Sequence, residues 1–382
     1  MPFSPLGLSE PLLRAVVARG YGAPTPVQTG AIPAALAGRD VWASAQTGSG
    51  KTAAFALPIL QRLSARPRGQ GRFVRALVLV PTRELAGQVG ESFRLYGRWL
   101  PDPLKILTVY GGVSINPQMI ALGGGADILI ATPGRLLDLM SHNAVSLAEV
   151  ETLVLDEADR LLDLGFAHEV GRLLAALPAR RQSLLFSATF PPAIFELAAK
   201  LLQDPVRIDL PAAPATAPDI LQRAIEVDPG RRTQLLRHLI ETLNWPRVLV
   251  FVATTYATEH VAEKLRRAGL AAAAMNGDLS QGARTQALAD FKASKTRVLV
   301  ATDLAARGLD IALLPAVVNY ELPRSATDYI HRIGRTGRAG ESGTAVSFIS
   351  AETHAHFRLI EKRHRLSLPR EQIAGFEPDP VG

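Results

Sequence analysis

The stretch Ser44-Ala45-Gln46-Thr47-Gly48-Ser49-Gly50-Lys51-Thr52 decides how the chain is read. A short run, Asp40 to Ala43, precedes it and reads as a strand; Ala53 to Leu63 follows and reads as a helix. A glycine-rich turn between a parallel strand and a helix points backbone N–H groups at one spot, on the positive end of the helix dipole. Such a spot takes phosphate. Lys51 adds a mobile cation for terminal phosphates, and the Thr52 hydroxyl is placed to reach a Mg2+ ion. The general pattern G-x-x-x-x-G-K-[ST] is met except at its first position, which is Ala45.

Working outward, the flanking segments alternate strand and helix. Ala76 to Val80, Ile106 to Tyr110, Asp127 to Ala131, Thr152 to Leu155 and Ser183 to Phe186 are apolar runs of the kind found in parallel strands buried on both faces. Several end in loops rich in Thr, Arg or Gly: Pro81-Thr82-Arg83-Glu84-Leu85-Ala86, Gly111-Gly112 and Thr132-Pro133-Gly134-Arg135. In open α/β sheets, ligands bind at the carboxyl ends of strands. Asp156-Glu157-Ala158-Asp159 stands at one such end, an arrangement that holds Mg2+ through water near a nucleotide and also suits a helix N-terminus. Upstream, Leu8 to Arg19 has helical spacing, with Ser9 as its N-cap. Gln28 opens the next helix after two prolines, and its amide complements N6 and N7 of adenine.

Asp209 to Pro218 is the clearest break in composition, three prolines among small residues, and is read as a linker. Strand–helix alternation then resumes. Val248 to Val252, Ala271 to Met275, Arg297 to Ala301 and Ala316 to Tyr320 read as parallel strands, with helices over Tyr256 to Ala268 and Gln281 to Lys292. This half lacks a phosphate loop. It carries instead Arg332, Arg335 and Arg338 at a spacing of three. On one helical face such a row repels itself, unless acidic residues cover it or an external anion does. The reading favours phosphoryl oxygens as that anion, with the two halves closing on it.

The 382 residues suit two domains at about 100–200 residues each. Hydrophobic content of 47% with 20% charged residues fits a folded protein. The absence of cysteine excludes disulfides and cysteine-ligated metals. Neither a secretory leader nor an apolar run of about 18 residues is seen. The net charge of +7, dispersed along the chain, favours a polyanionic partner met by a surface or groove.

Taken together these segments resemble the DEAD-box RNA helicases of superfamily 2. The match runs in order: Pro24 to Gln28 with Phe3 upstream, Ala45 to Thr52, Pro81 to Ala86, Gly111-Gly112, Thr132 to Arg135, Asp156 to Asp159 and Ser187 to Thr189. It continues through Val248 to Ala253, Gln281 with Arg284, Ala301 to Asp310 and Tyr329 to Gly340. The family's own loop begins with Ala, as Ala45 does here. The resemblance implies an α/β fold of two tandem RecA-like domains, each a mainly parallel sheet flanked by helices. Residues 1–209 would form the ATP-binding domain, 210–218 the linker, 219–366 the second domain and 367–382 a short tail.

The resemblance also implies roles. ATP is the substrate and Mg2+ the cofactor. Gln28 would read adenine, with Phe3 or Tyr21 near the base. Ala45, Gln46, Thr47, Gly48, Ser49, Gly50, Lys51 and Thr52 would hold the nucleotide. Thr52 and Asp156 would hold Mg2+, Asp156 through water, and Glu157 would orient or deprotonate the attacking water. Asp310, Arg335 and Arg338 would complete the site. Asp159, Ser187, Thr189 and His331 would couple it to domain closure. RNA would meet Arg83, Gly112, Thr132, Arg135, Thr254, Gly277, Arg284 and Thr302, mostly through its backbone, so binding is expected to be independent of sequence and sensitive to salt.

Local, non-processive unwinding of short duplexes or remodelling of RNA–protein complexes is the implied activity. A cytoplasmic monomer of a bacterial, minimal-core type is expected. No RNA-recognition domain or Arg/Gly-rich tail is seen after Glu361, so RNA targeting is left to the core or to partners such as ribosome-assembly or RNA-decay proteins. An ATP-gated RNA clamp and a DNA translocase are the competing readings.

Overall fold

The computed structural model describes residues 2–44, 49–66, 73–209, 220–306, 314–337 and 342–379. Two compact units divide the chain, Met1–Leu210 and Pro211–Gly382. The segment read as a linker falls outside the described residues, apart from Asp209.

The first unit is built on seven strands: β1 (Val41–Ser44), β2 (Val74–Leu79), β3 (Ile106–Val109), β4 (Ala126–Ala131), β5 (Thr152–Leu155), β6 (Gln182–Ser187) and β7 (Val206–Ile208). They lie in the order β3-β4-β2-β5-β6-β1-β7, and every pairing is parallel. β2, β4, β5 and β6 are buried along their whole length, which is why their sequences are apolar with little alternation. Successive side chains of one strand serve opposite faces. Ala76 and Val78 join the core that includes Phe55 and Phe93, while Leu77 and Leu79 join the core that includes Leu136 and Leu161. Phe55, on the helix Lys51–Ser64, packs 6.1 Å from Phe93 and 5.3 Å from Phe186.

Register sets the strand ends level. Ser44 pairs with Ser187, Leu79 with both Leu155 and Ala131, and Leu155 with Leu185. The loops after β1, β2, β4, β5 and β6 therefore leave from one edge of the sheet.

The second unit repeats the plan with β8 (Ile220–Glu226), β9 (Val248–Val252), β10 (Ala272–Met275), β11 (Val298–Thr302), β12 (Ala316–Asn319), β13 (Gly343–Ile349) and β14 (Arg370–Glu371). Its order, β10-β11-β9-β12-β13-β8-β14, is that of the first sheet position for position, and again every pairing is parallel. Four strands not foreseen in the sequence, β7, β8, β13 and β14, supply one side of each sheet. Among the described residues no helix is long and apolar enough to cross a membrane.

Candidate functional site

Gly50 caps the helix Lys51–Ser64 with φ +86°, a left-handed conformation that glycine adopts without strain. Lys51 is the first helical residue. Its side chain is almost fully buried, with Nζ 2.9 Å from Asp156 Oδ1 and 3.3 Å from Glu157 Oε1. β5 delivers the two acids and β1 leads to the lysine, so the alignment of strand ends makes the cluster. Burial alone would lower the Lys51 pKa, but Asp156 and Glu157 outweigh it and the net shift is upward. Burial is also the largest influence on Asp156 and pushes its carboxyl up, against the pull of Lys51. Asp156 Oδ2 is buried without a hydrogen-bond partner among the described residues, as is Ser49 Oγ. Thr52 follows Lys51 in the same first turn, half-buried. Ala45, Gln46, Thr47 and Gly48 lie outside the described residues.

Glu157 has φ +53° and ψ +52°, a left-handed conformation uncommon for a non-glycine residue. Held strain of this kind concentrates at functional sites. Arg160 stands 3.4 Å from its Oε2. Asp159 reaches across to the end of β6: its Oδ2 accepts from Thr189 N at 2.9 Å and from Thr189 Oγ1 at 2.8 Å. Ser187 Oγ accepts from Asp159 N at 3.2 Å and donates to Thr189 O at 2.7 Å. Three of the four residues read as coupling elements, Asp159, Ser187 and Thr189, thus form one network inside the first unit.

Gln28 sits at the third position of the helix Pro26–Leu36. Its Oε1 accepts from Thr25 N at 3.0 Å and its Nε2 donates to Gly50 O at 3.1 Å. The amide orientation is fixed, and the glutamine is tied to the residue that caps the lysine helix. That tie is invisible in sequence, where the two lie in separate segments. Tyr21 shares a hydrogen bond of 2.9 Å with the hydroxyl of buried Tyr96, whose pKa burial pushes up. Phe3 is itself 1% exposed and stacks 6.4 Å from Tyr21. It backs Tyr21 and presents no ring to solvent.

Arg83, Gly112, Thr132 and Arg135 gather at the ends of β2, β3 and β4. Gly112 has φ +79°, and a Cβ there would lie 2.7 Å from Arg83 Nη1. Arg83 Nε donates to Glu84 Oε1 at 2.9 Å, and Arg135 Nη2 donates to Val113 O at 2.7 Å. Thr132 stands at the N-cap position of the helix Pro133–Ser141, its side chain making no capping hydrogen bond. In the second unit, Thr254 caps the helix Thr255–Arg267, accepting from Ala257 N at 3.1 Å. Thr302 Oγ1 accepts from Ala305 N at 3.3 Å, and Arg284 Nη1 donates to Asn276 O at 3.4 Å. A Cβ on Gly277 would meet nothing within 4 Å.

The arginine row needs correction. Arg332 is 2% exposed, with Nε and Nη2 each 2.6 Å from an oxygen of Asp303. Its Nη1 donates to Asn319 Oδ1 at 3.0 Å and Glu321 O at 2.6 Å, and its guanidinium lies 4.8 Å from the Phe251 ring centre. An acidic residue covers it, so Arg332 calls for no external anion. Arg335, three residues further on, is buried, and His331 is half-buried on the helix Ala326–Ile333. Asp310 and Arg338 lie outside the described residues.

Comparison with known proteins places these features. Residues 25–197 match the DEAD/DEAH box helicase family, and residues 231–340 match the helicase conserved C-terminal domain. The DEAD-box ATP-dependent RNA helicase CshA of Bacillus cereus is 40% identical over 368 residues, covering 96% of this chain and 69% of its own length. The chain belongs to the DEAD-box helicase family. The ATP-dependent RNA helicase DeaD of Mycobacterium tuberculosis is 44% identical over 375 residues, and this chain spans 65% of that relative's length. Among solved structures, S. cerevisiae Dbp5 bound to RNA and ADP BeF3 has 30% identity and a TM-score of 0.85, with 97% of this chain and 95% of that one covered. A DEAD box protein from Methanococcus jannaschii has 37% identity and a TM-score of 0.55, covering 98% and 99%. The two matched parallel sheets are the tandem RecA-like domains of the family.

Proposed function

We propose that this chain is the catalytic core of an ATP-dependent RNA helicase, whose RNA-stimulated ATP hydrolysis drives local separation of short duplexes or remodelling of RNA–protein complexes. The observation that carries the reading is the buried cluster of Lys51, Asp156 and Glu157 at the aligned strand ends. The names of the relatives, and RNA with a nucleotide analogue in the Dbp5 structure, support it.

The proposed steps follow from the cluster. Lys51 holds its proton and exchanges carboxylate oxygens for phosphate oxygens when ATP arrives. Gln28 reads the adenine while still tied to Gly50 O, so base occupancy acts on the cap of the lysine helix. Glu157, freed of part of its ion pair, orients water and takes its proton; that oxygen attacks the γ-phosphorus and the bond to the β-bridging oxygen breaks, releasing ADP. The unpartnered, buried Oδ2 of Asp156 fits a magnesium-bound water, and Thr52 is the second residue for that ion. Bound Mg2+ would neutralise developing phosphoryl charge. Asp310, Arg335 and Arg338 are proposed to act on the same nucleotide, and Asp159, Ser187, Thr189 and His331 to transmit its state.

RNA is proposed to lie on Arg83, Gly112, Thr132, Arg135, Thr254, Gly277, Arg284 and Thr302, with no membrane partner and the cytoplasm as its place. Steady-state hydrolysis with and without single-stranded RNA tests the reading. RNA-dependent turnover supports it, and turnover indifferent to RNA defeats it.

A further inference from the structure

On four helices of this chain, an exposed arginine sits opposite a carboxylate one turn away. Arg14 faces Glu10, Arg94 faces Glu91, Arg237 faces Glu241 and Arg267 faces Glu263. The helix His354–His364 breaks this pattern. Arg358, Lys362 and Arg363 are exposed on it, and Arg365, which ends it with φ +54°, is exposed as well. Among the described residues none of the four has an acidic partner. The one carboxylate within the helix, Glu361, turns inward: it accepts from Leu368 N at 3.0 Å and from Arg370 Nη1 and Nη2 at 2.9 and 2.6 Å.

Spacing makes the cations a stripe. Arg358, Lys362 and Arg365 recur at i, i+4 and i+7, within about 60° of one another around the axis, and rise about 10 Å along it. The opposite face holds Phe357 and Ile360 in the core, with Phe357 6.0 Å from Tyr329. The helix dipole favours cations in the last turn, which accounts for Lys362 and Arg363 singly but not for Arg358. Like charges one turn apart cost a few tenths of a kcal/mol each, and no carboxylate among the described residues pairs with them to offset it.

We propose that this face is a second binding surface for RNA phosphates, outside the residues assigned above to RNA; the inference rests on the RNA-helicase reading. Guanidinium forks match phosphate oxygens, and about 10 Å of RNA strand carries several phosphates. Leu359 is the one large hydrophobic exposed on this helix, too little apolar surface for insertion into a bilayer. The surface extends the grip on a long RNA beyond the strand ends and reads no sequence.

The test uses the full chain, short and long oligouridylates, and the variant Arg358→Gln/Lys362→Gln/Arg365→Gln. For the long RNA, the slope of log affinity against log salt should fall by about two, and affinity at low salt by about tenfold. The loss should appear in the RNA concentration needed to stimulate hydrolysis, and not in the maximal rate. Arg358→Lys/Arg365→Lys keeps the charge and should keep the affinity. Unchanged slope and affinity in the glutamine variant, with RNA stimulation intact, overturn this inference and leave the helicase reading standing. Absence of RNA stimulation in the unaltered chain overturns the helicase reading and this inference with it. Loss of binding to phosphatidylserine vesicles, with RNA affinity unchanged, overturns the inference in favour of a membrane.

Discussion

Glu157→Gln separates the chemistry from the fold. The substitution keeps side-chain size and leaves a carbonyl oxygen to face Lys51, but removes a charge and the base proposed to take the proton from water. At an effective dielectric constant of about 20, charges 3.3 Å apart interact by roughly 5 kcal/mol before desolvation is counted. Asp156, 2.9 Å from the same ammonium, keeps its own share of the attraction. Lys51 therefore remains a buried, paired cation, and the stability change should stay within about 1–2 kcal/mol. Release from one of two carboxylates makes the lysine more available to phosphate, so ATP affinity should hold or rise by a few fold. Loss of general-base catalysis should lower kcat by about 10²–10⁴, a barrier rise of about 3–5 kcal/mol. Steady-state phosphate release, fluorescent-nucleotide titration and thermal unfolding on one preparation measure all three. Turnover within tenfold of the unaltered protein, or ATP affinity reduced by more than tenfold, would refute the assignment of Glu157 as base and of Lys51 as a cation shared between acids and phosphate.

Three further outcomes follow from individual contacts. Asp303→Ala leaves Arg332 buried without its bidentate partner and should destabilise the second unit by about 3–5 kcal/mol, read by chemical denaturation; a change under 1 kcal/mol contradicts the pairing as described. Gly112→Ala places a Cβ against Arg83 Nη1 at positive φ, and should cost about 1–2 kcal/mol and weaken RNA binding through a displaced Arg83, read by fluorescence anisotropy. Hydrogen bonds from Arg370 hold the Glu361 carboxyl below its usual range in spite of burial. Its contribution to stability is thus complete above the unfolded carboxyl value of about 4.3 and is lost as pH falls through the lower folded value; Glu361→Gln should flatten that acid limb in denaturant titrations, and an unaltered limb refutes the pairing.

Much of the architecture was legible because parallel strands buried on both faces need near-continuous apolar runs. Thr152–Leu155 and Val248–Val252 are recovered residue for residue, and the helix Gln281–Lys292 likewise. β8 was missed because it is half-buried and polar in its middle: Gln222 accepts from Tyr329 Oη at 2.9 Å and Arg223 pairs with Glu371. Burial pushes that tyrosine's pKa up to about 12. β7 and β14 have three and two residues, too few to show a period. In the site, the lysine and its acids were legible because strand ends concentrate ligand groups. The Arg332 partner was not, because Asp303 lies 29 residues away and side-chain spacing carries no sign of it. The Gln28–Gly50 tie was hidden for the same reason, since it joins segments 22 residues apart.

The measurement that tests the central claim most directly is steady-state ATP hydrolysis with and without single-stranded RNA, at low and moderate salt, beside Lys51→Ala. The account predicts strong stimulation by RNA, weakened by salt and abolished in the variant. Hydrolysis that is the same with and without RNA, or that survives loss of Lys51, would contradict it.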